Sequence, residues 1–256
     1  MTQKKSVLRK IGKYFAFTAI LAVVGLTTAH FVWKYSGSNQ WELWQTKNGV
    51  SVYTMKVPGA TRLQFKVTSR IHAKLAPIVA VWTDTTTEGC RNFLRGCTVG
   101  QIFKPFDEQS LNYVQAYRLY MPKLSKKPVA MALKMQLSRD PQTEAIQMEV
   151  SSMPELLPKD GCCINMGAVH NVWRVTPIKD SNDMVEFEFR ENDDPGIPYY
   201  LYNRFMLRNK MGMPRTAERV FNMPRYQSAE FAFLNEPAIK TATNASRVTD
   251  TARLEE

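Results

Sequence analysis

Apolar and polar positions divide this chain into three stretches. Residues 14–33, YFAFTAILAVVGLTTAHFVW, contain no charged side chain and are apolar all round. A helix needs roughly 20 such residues to cross a bilayer, so this stretch is predicted to be a membrane span. Residues 41–237 instead carry short runs in which apolar and polar side chains alternate, the signature of half-buried strands. Residues 238–256 have no aromatic and are rich in Thr, Ala and charge, which predicts a disordered tail. The expected organisation is therefore an anchor segment over 1–35, a short polar linker (Ser36 to Asn39), one domain over 41–237, and the tail.

Within the domain, strands are predicted at 50–56, 61–71, 97–106, 111–120, 130–138, 144–152, 168–176 and 184–191. Short helices are predicted at 41–46, 75–83 and 87–94. A long one follows at 197–221, with a kink signal at Gly212–Pro214. Successive side chains of a strand point to opposite faces. That nominates Met131, Leu133, Met135 and Leu137 as one inward row, against Lys134 and Gln136 outside. Ile146, Met148 and Val150 form a second row. Val185, Phe187 and Phe189 form a third, against Glu186, Glu188 and Arg190. Arg139-Asp140-Pro141-Gln142 supplies the turn between the first two rows. Strands joined by short links and closed by one helix predict an α+β fold with an antiparallel sheet. On the last helix, Tyr199, Tyr202, Met206, Met213, Ala217 and Val220 share one face, and Arg204, Arg208, Arg215 and Arg219 the other.

Charge sharpens the reading of the N-terminus. The formal net charge is +11, but Lys4, Lys5, Arg9, Lys10, Lys13 and Lys34 all lie within residues 1–35, where there is no acid, leaving +5 for the rest. Bases before an apolar span keep that end cytoplasmic and place the remainder of the chain on the other side. A signal peptide cut after Ala29 is the alternative. The base cluster is then a topology signal, and no nucleic-acid partner is expected. Cys90, Cys97, Cys162 and Cys163 form no CxxC pair, and His30, His72 and His170 are far apart, so no metal-ligand spacing stands out. Cys90 and Cys97 either pair, in an oxidising compartment, or stay reduced. The adjacent Cys162 and Cys163 read as packed small hydrophobes, with a vicinal disulfide as the alternative. The thirteen methionines suit either a packed core or a surface that adapts to varied apolar partners.

Three local motifs carry a resemblance. Trp41-Glu42-Leu43 followed by Asn48-Gly49-Val50-Ser51-Val52-Tyr53, then Val172-Trp173-Arg174-Val175-Thr176-Pro177, then Asp193-Asp194-Pro195-Gly196-Ile197-Pro198 with Asn203, occur in the order and spacing of START (StAR-related lipid transfer) domains. The chain resembles that family over about residues 41–222. It departs from it at Lys126-Lys127-Pro128-Val129, where the family usually carries Arg-Asp; Arg139-Asp140 falls one strand later.

The resemblance implies a helix-grip fold: a curved sheet wrapped around the C-terminal helix, with an apolar cavity between them. In eukaryotic relatives the cavity holds a sterol, phospholipid or sphingolipid. Two loops, here 122–128 and 153–165, would gate it together with the helix. The expected function is binding of a lipid (sterol, hopanoid, phospholipid or fatty acid) by a monomer without a cofactor. The expected lining is the three strand rows with Tyr199, Tyr202, Met206 and Met213. The expected membrane contacts are Lys123, Leu124, Lys126, Lys127, Arg204 and Arg208. The alternatives are a membrane-anchored structural or protein-interaction domain, or a cyclase or hydrolase of the wider superfamily. Against catalysis, the chain has no GxSxG elbow, no HExxH and no glycine-rich phosphate loop. Cys90 with His72 or His170 is the remaining nucleophile–base pairing.

Overall fold

In the computed structural model, the residues described are 2–93, 96–120, 126–157, 159, 161–179, 181, 183–194, 196 and 198–235. The tail at 238–256 and the loop residues Lys123 and Leu124 lie outside them. The chain opens with α1 (Thr2–Tyr35). Its Gly12–Tyr35 part is long and apolar enough to cross a membrane and is exposed, apart from half-buried His30, Trp33 and Lys34 in its last turns.

Among the described residues ten strands follow: β1 (Glu42–Lys47), β2 (Val50–Lys56), β3 (Leu63–His72), β4 (Cys97–Asp107), β5 (Asn112–Leu119), β6 (Val129–Arg139), β7 (Ile146–Ser152), β8 (Ile164–Asn165), β9 (Val169–Pro177) and β10 (Met184–Asp193). They make one curved sheet in the order β1-β2-β3-β10-β9-β7-β6-β5-β4, every neighbouring pair antiparallel; β8 pairs parallel to β6 off this path. The long crossover between β3 and β4 carries α2 (Leu75–Trp82) and α3 (Thr87–Phe93).

Where a helix was expected at 41–46, residues 42–47 form strand β1. The reason is the turn after it. Asn48 and Gly49 both have positive φ, 52° and 76°, the two-residue hairpin geometry that Asn-Gly favours. That turn folds Lys47 onto Val50 and zips 42–47 along β2.

The C-terminal helix is split. α4 (Tyr199–Asn209) passes through a 3-10 turn at Lys210–Gly212 into α5 (Met213–Phe221). Pro214 lies at the first turn of α5, where its missing N–H costs nothing. A 3-10 turn (Pro224–Tyr226) and α6 (Ala232–Asn235) end the described chain. On α5, Ala217, Val220 and Phe221 are buried. Phe221 meets Trp82 of α2 and Phe93 of α3 edge-on, with ring centres 6.3 and 6.2 Å apart. Thus α2, α3 and α5 close over the inward face of the sheet. Cys90 and Cys97 are disulfide-bonded, fastening α3 to the start of β4, with Cα atoms 5.7 Å apart. Cys162, exposed, and Cys163, half-buried, are also disulfide-bonded to each other, so they are not the packed small hydrophobes expected of them.

Candidate ligand site

The interior between the sheet and the closing helices is apolar and built largely by strand alternation. Met135, Leu137, Ile146, Met148, Val150, Val185, Phe187 and Phe189 are all buried in one continuous cluster, with Leu133 packed against it. Register brings the rows together: Met135 lies opposite Val150, Leu137 opposite Met148, and Met148 opposite Trp173. Met131 sits in an adjoining cluster with Cys97 and Leu119. From the C-terminal segment, Met213 packs on the main cluster, while Met206 is half-buried.

Tyr199 goes elsewhere. Its ring stacks on Trp33 of α1 at 6.3 Å and meets His30 at 5.7 Å. It caps the junction with the N-terminal helix.

Residues that strand and helix periodicity did not nominate complete the interior. Trp173 is its centre, 4.4 Å from Phe189 and 5.9 Å from both Phe187 and Phe93 by ring centroids. It shares a strand face with Val175, so the period-two rule that found Phe187 and Phe189 applies to it equally. Trp82, Ile78 and Val79 come from α2. Their partners lie far away in sequence, and no local pattern marks them as part of this site.

The apolar row of β10 ends in acid. Val185, Phe187 and Phe189 are followed on the same face by Glu191 and Asp193. Glu191 accepts hydrogen bonds from Lys210 Nζ and, at 2.9 Å, from the Tyr202 hydroxyl. The Glu191 and Lys210 side chains are 6% and 7% exposed, and Lys210 Nζ also lies 4.8 Å from the centre of the Phe189 ring. Next to them Asn203 Oδ1 accepts the backbone N–H of Leu63 at 3.1 Å. Burial, reinforced by the charge of Glu191, pushes the Asp193 carboxyl up to about 7. Among the described residues its Oδ1 is buried without a hydrogen-bond partner. Burial likewise drives the Tyr202 hydroxyl far above its ordinary range. This polar band pins α4 and the 3-10 turn to β3 and β10, and the apolar interior stops against it.

A second polar group lies under α2. Tyr113 donates to the Trp82 carbonyl, Gln115 donates to the Thr85 carbonyl at 2.9 Å, and Tyr117 donates to Gln115 at 3.4 Å. Burial pushes the Tyr117 hydroxyl up to about 12. The Trp82 indole N–H is buried and has no acceptor among the described residues.

Of the expected membrane contacts within the described residues, Lys126, Lys127, Arg204 and Arg208 are exposed, and Lys127 donates to the Gly161 carbonyl at 2.8 Å. Arg204 and Arg208 lie on α4, and Arg215 and Arg219 on α5, with the 3-10 turn at Lys210–Gly212 between the two pairs. As for catalysis, the disulfide removes Cys90 as a nucleophile. No group of three or more His, Cys, Asp or Glu able to hold a metal occurs among the described residues.

Neither a family model nor a curated protein matches the chain. Solved structures do. The STAR-related lipid transfer protein (fragment 25-204) from Xanthomonas axonopodis superposes with a TM-score of 0.61 at 18% identity, over 72% of this chain and 99% of that one. This chain has the fold of the START-related lipid transfer domains. Human STARD10 matches with a TM-score of 0.56 at 15% identity, over 75% of this chain and 76% of its own. Human StAR-related lipid transfer protein 5 matches at 0.53 and 13%, over 80% and 96%. At such identities the shared property is the START fold, and the interior described above occupies the space between its sheet and its C-terminal helices.

Proposed function

We propose that the START-like domain binds one hydrophobic molecule between its sheet and α5 and exchanges it with a membrane, while α1 anchors the protein. The observation that carries this is the make-up of the interior. Met135, Met148, Met166, Met213 and Met223 all belong to or pack on the main cluster. Thioether side chains re-pack around guests of differing shape at low cost. The nominated lining residues of β6, β7 and β10 surround the guest in this reading. The Glu191–Lys210 band, or the open donor of Trp82, meets its polar group. A sterol, hopanoid, phospholipid or fatty acid satisfies that description.

In the same reading residues 14–33 cross the membrane and the domain stands on the non-cytoplasmic side. The Cys90–Cys97 disulfide supports this, since such bonds persist in oxidising compartments. Lys123, Leu124, Lys126 and Lys127 of the first loop would touch anionic headgroups with Arg204 and Arg208, at about 1 kcal/mol per base near the surface.

The test is mass spectrometry of an organic extract from the purified full-length protein. One apolar molecule per chain is expected, lost or reduced in Met135→Trp and Phe187→Trp proteins that still fold. Full retention in both variants would place the ligand elsewhere, and an extract without any would favour a protein-interaction module.

A further inference from the structure

The polar segment after α1 is not a loose tether. Trp33 of α1 donates its indole N–H to the Thr61 carbonyl at 2.7 Å. Gly59 N–H donates to the Lys34 carbonyl at 2.8 Å. The ammonium of Lys56 lies within hydrogen-bond distance of four backbone carbonyls, those of Lys34 (3.2 Å), Ser36 (3.1 Å), Val57 (3.1 Å) and Ala60 (2.5 Å). It also faces the Trp33 ring at 5.3 Å. Gly37, at φ 118°, runs so close to this lysine that a Cβ would stand 2.2 Å from its carbonyl oxygen. The last turn of α1 is therefore riveted to the β2–β3 turn.

The same turn of α1 holds the start of α4, through the Tyr199 contacts with Trp33 and His30. From that point α4 presents an uncovered face. Tyr200, Leu201 and Phe205 are 62%, 52% and 55% exposed. At 100° per residue they fall, with Arg204 and Arg208 between them, on an arc of roughly 140° centred opposite the buried pair Tyr202 and Asn203. Aromatics, a leucine and long cationic side chains on one helix face are the composition of a bilayer interface, where the rings sit at headgroup depth and the arginines reach phosphate.

We propose that the joint between α1 and the β2–β3 turn seats the Tyr200–Leu201–Phe205 face of α4 in the headgroup layer of the very bilayer that α1 crosses. The domain then takes up and releases its ligand in its own membrane and does not cross an aqueous gap to another. This rests on the reading of α1 as a membrane span. The geometry supplies the link, because Tyr199 touches the end of the span and Tyr200 is the next residue.

The experiment uses the full chain in vesicles of phosphatidylcholine and phosphatidylglycerol, some carrying brominated acyl chains. An environment-sensitive fluorophore is attached to Leu201→Cys or Phe205→Cys, with Gln142→Cys, in an exposed turn on another part of the sheet, as control. Retention after alkaline carbonate washing reads the span separately. The expected result is retention of every variant, with quenching by bromolipid at 201 and 205 and none at 142. Insertion of a flexible Gly-Ser stretch between Ser36 and Gly37, or Lys56→Met, should bring the quenching at 201 and 205 down to the control level without loss of retention. Retention with unquenched probes at 201 and 205 overturns the seating and leaves the span intact. Loss of retention overturns the span itself. Quenching that survives both joint variants overturns the role of the joint.

Discussion

The side-chain nitrogen of Lys56 lies 3.2 Å from the backbone carbonyl oxygen of Lys34, across 22 residues of sequence, at the point where the N-terminal helix meets the domain. Four carbonyls surround a group with three N–H donors, so each hydrogen can be satisfied without a carboxylate. Burial lowers the Lys56 pKa below the ordinary lysine range. Replacing Lys56 with Met is expected to destabilise the full-length protein by about 2 kcal/mol, in the range for hydrogen bonds to charged groups. Thermal unfolding in detergent measures it; an unchanged midpoint would mean that water serves those carbonyls equally well.

The Glu191–Lys210 pair predicts a non-additive double mutant. Removing one member strands the other charge in a nearly dry site, which costs about 3–5 kcal/mol. Lys210→Met and Glu191→Leu should each be strongly destabilising, and the double variant markedly less so than either, because two well-packed apolar side chains need no partner. Denaturant titrations of the four proteins complete the cycle. Simple additivity would show that the two groups do not depend on one another.

Asp193 makes stability fall as pH rises. Its carboxyl, raised from 3.8 to about 7 chiefly by burial, keeps its proton in the folded protein over a range where the unfolded chain has lost it. Its contribution is therefore greatest below 3.8, declines as pH rises towards 7, and is level above. Asn171, donating at 3.3 Å, and the nearby Lys210 oppose the shift but do not cancel it. Asp193→Asn has no such group. The difference in unfolding midpoint between wild type and Asp193→Asn should drift across that window in favour of the variant as pH increases, and a flat difference would contradict the assignment.

The disulfide predicts resistance to alkylation. Cys90 and Cys97 should not react with iodoacetamide in the folded, unreduced protein. Cys90→Ser with Cys97→Ser should lower stability by about 2 kcal/mol, since the closed loop is short. Rapid labelling of native protein at either position would sink both the bond and its support for an oxidising compartment.

Much of the strand framework is legible in local pattern alone. Alternation places Met135, Leu137, Met148, Phe187 and Phe189 on inward faces because a strand has only two faces, and burial of one fixes the choice. The same rule, carried two residues further along β10, reaches Glu191 and Asp193, and helical periodicity puts Lys210 on the face of Tyr202. These positions are charged, and without a visible partner a charge reads as solvent-facing.

Tertiary structure decided where non-local partners meet. The short segment 42–47 became a strand because the Asn48–Gly49 turn laid it against β2, an interaction that local helix propensity does not register. Tyr199 left the expected inner row because Trp33, far back in the chain, offers it a ring to stack on. Trp82 and Phe221 meet only after the sheet has curved and α5 has closed over it. Periodicity assigns a side chain to a face; which distant surface that face meets depends on how the whole sheet and its helices fold together.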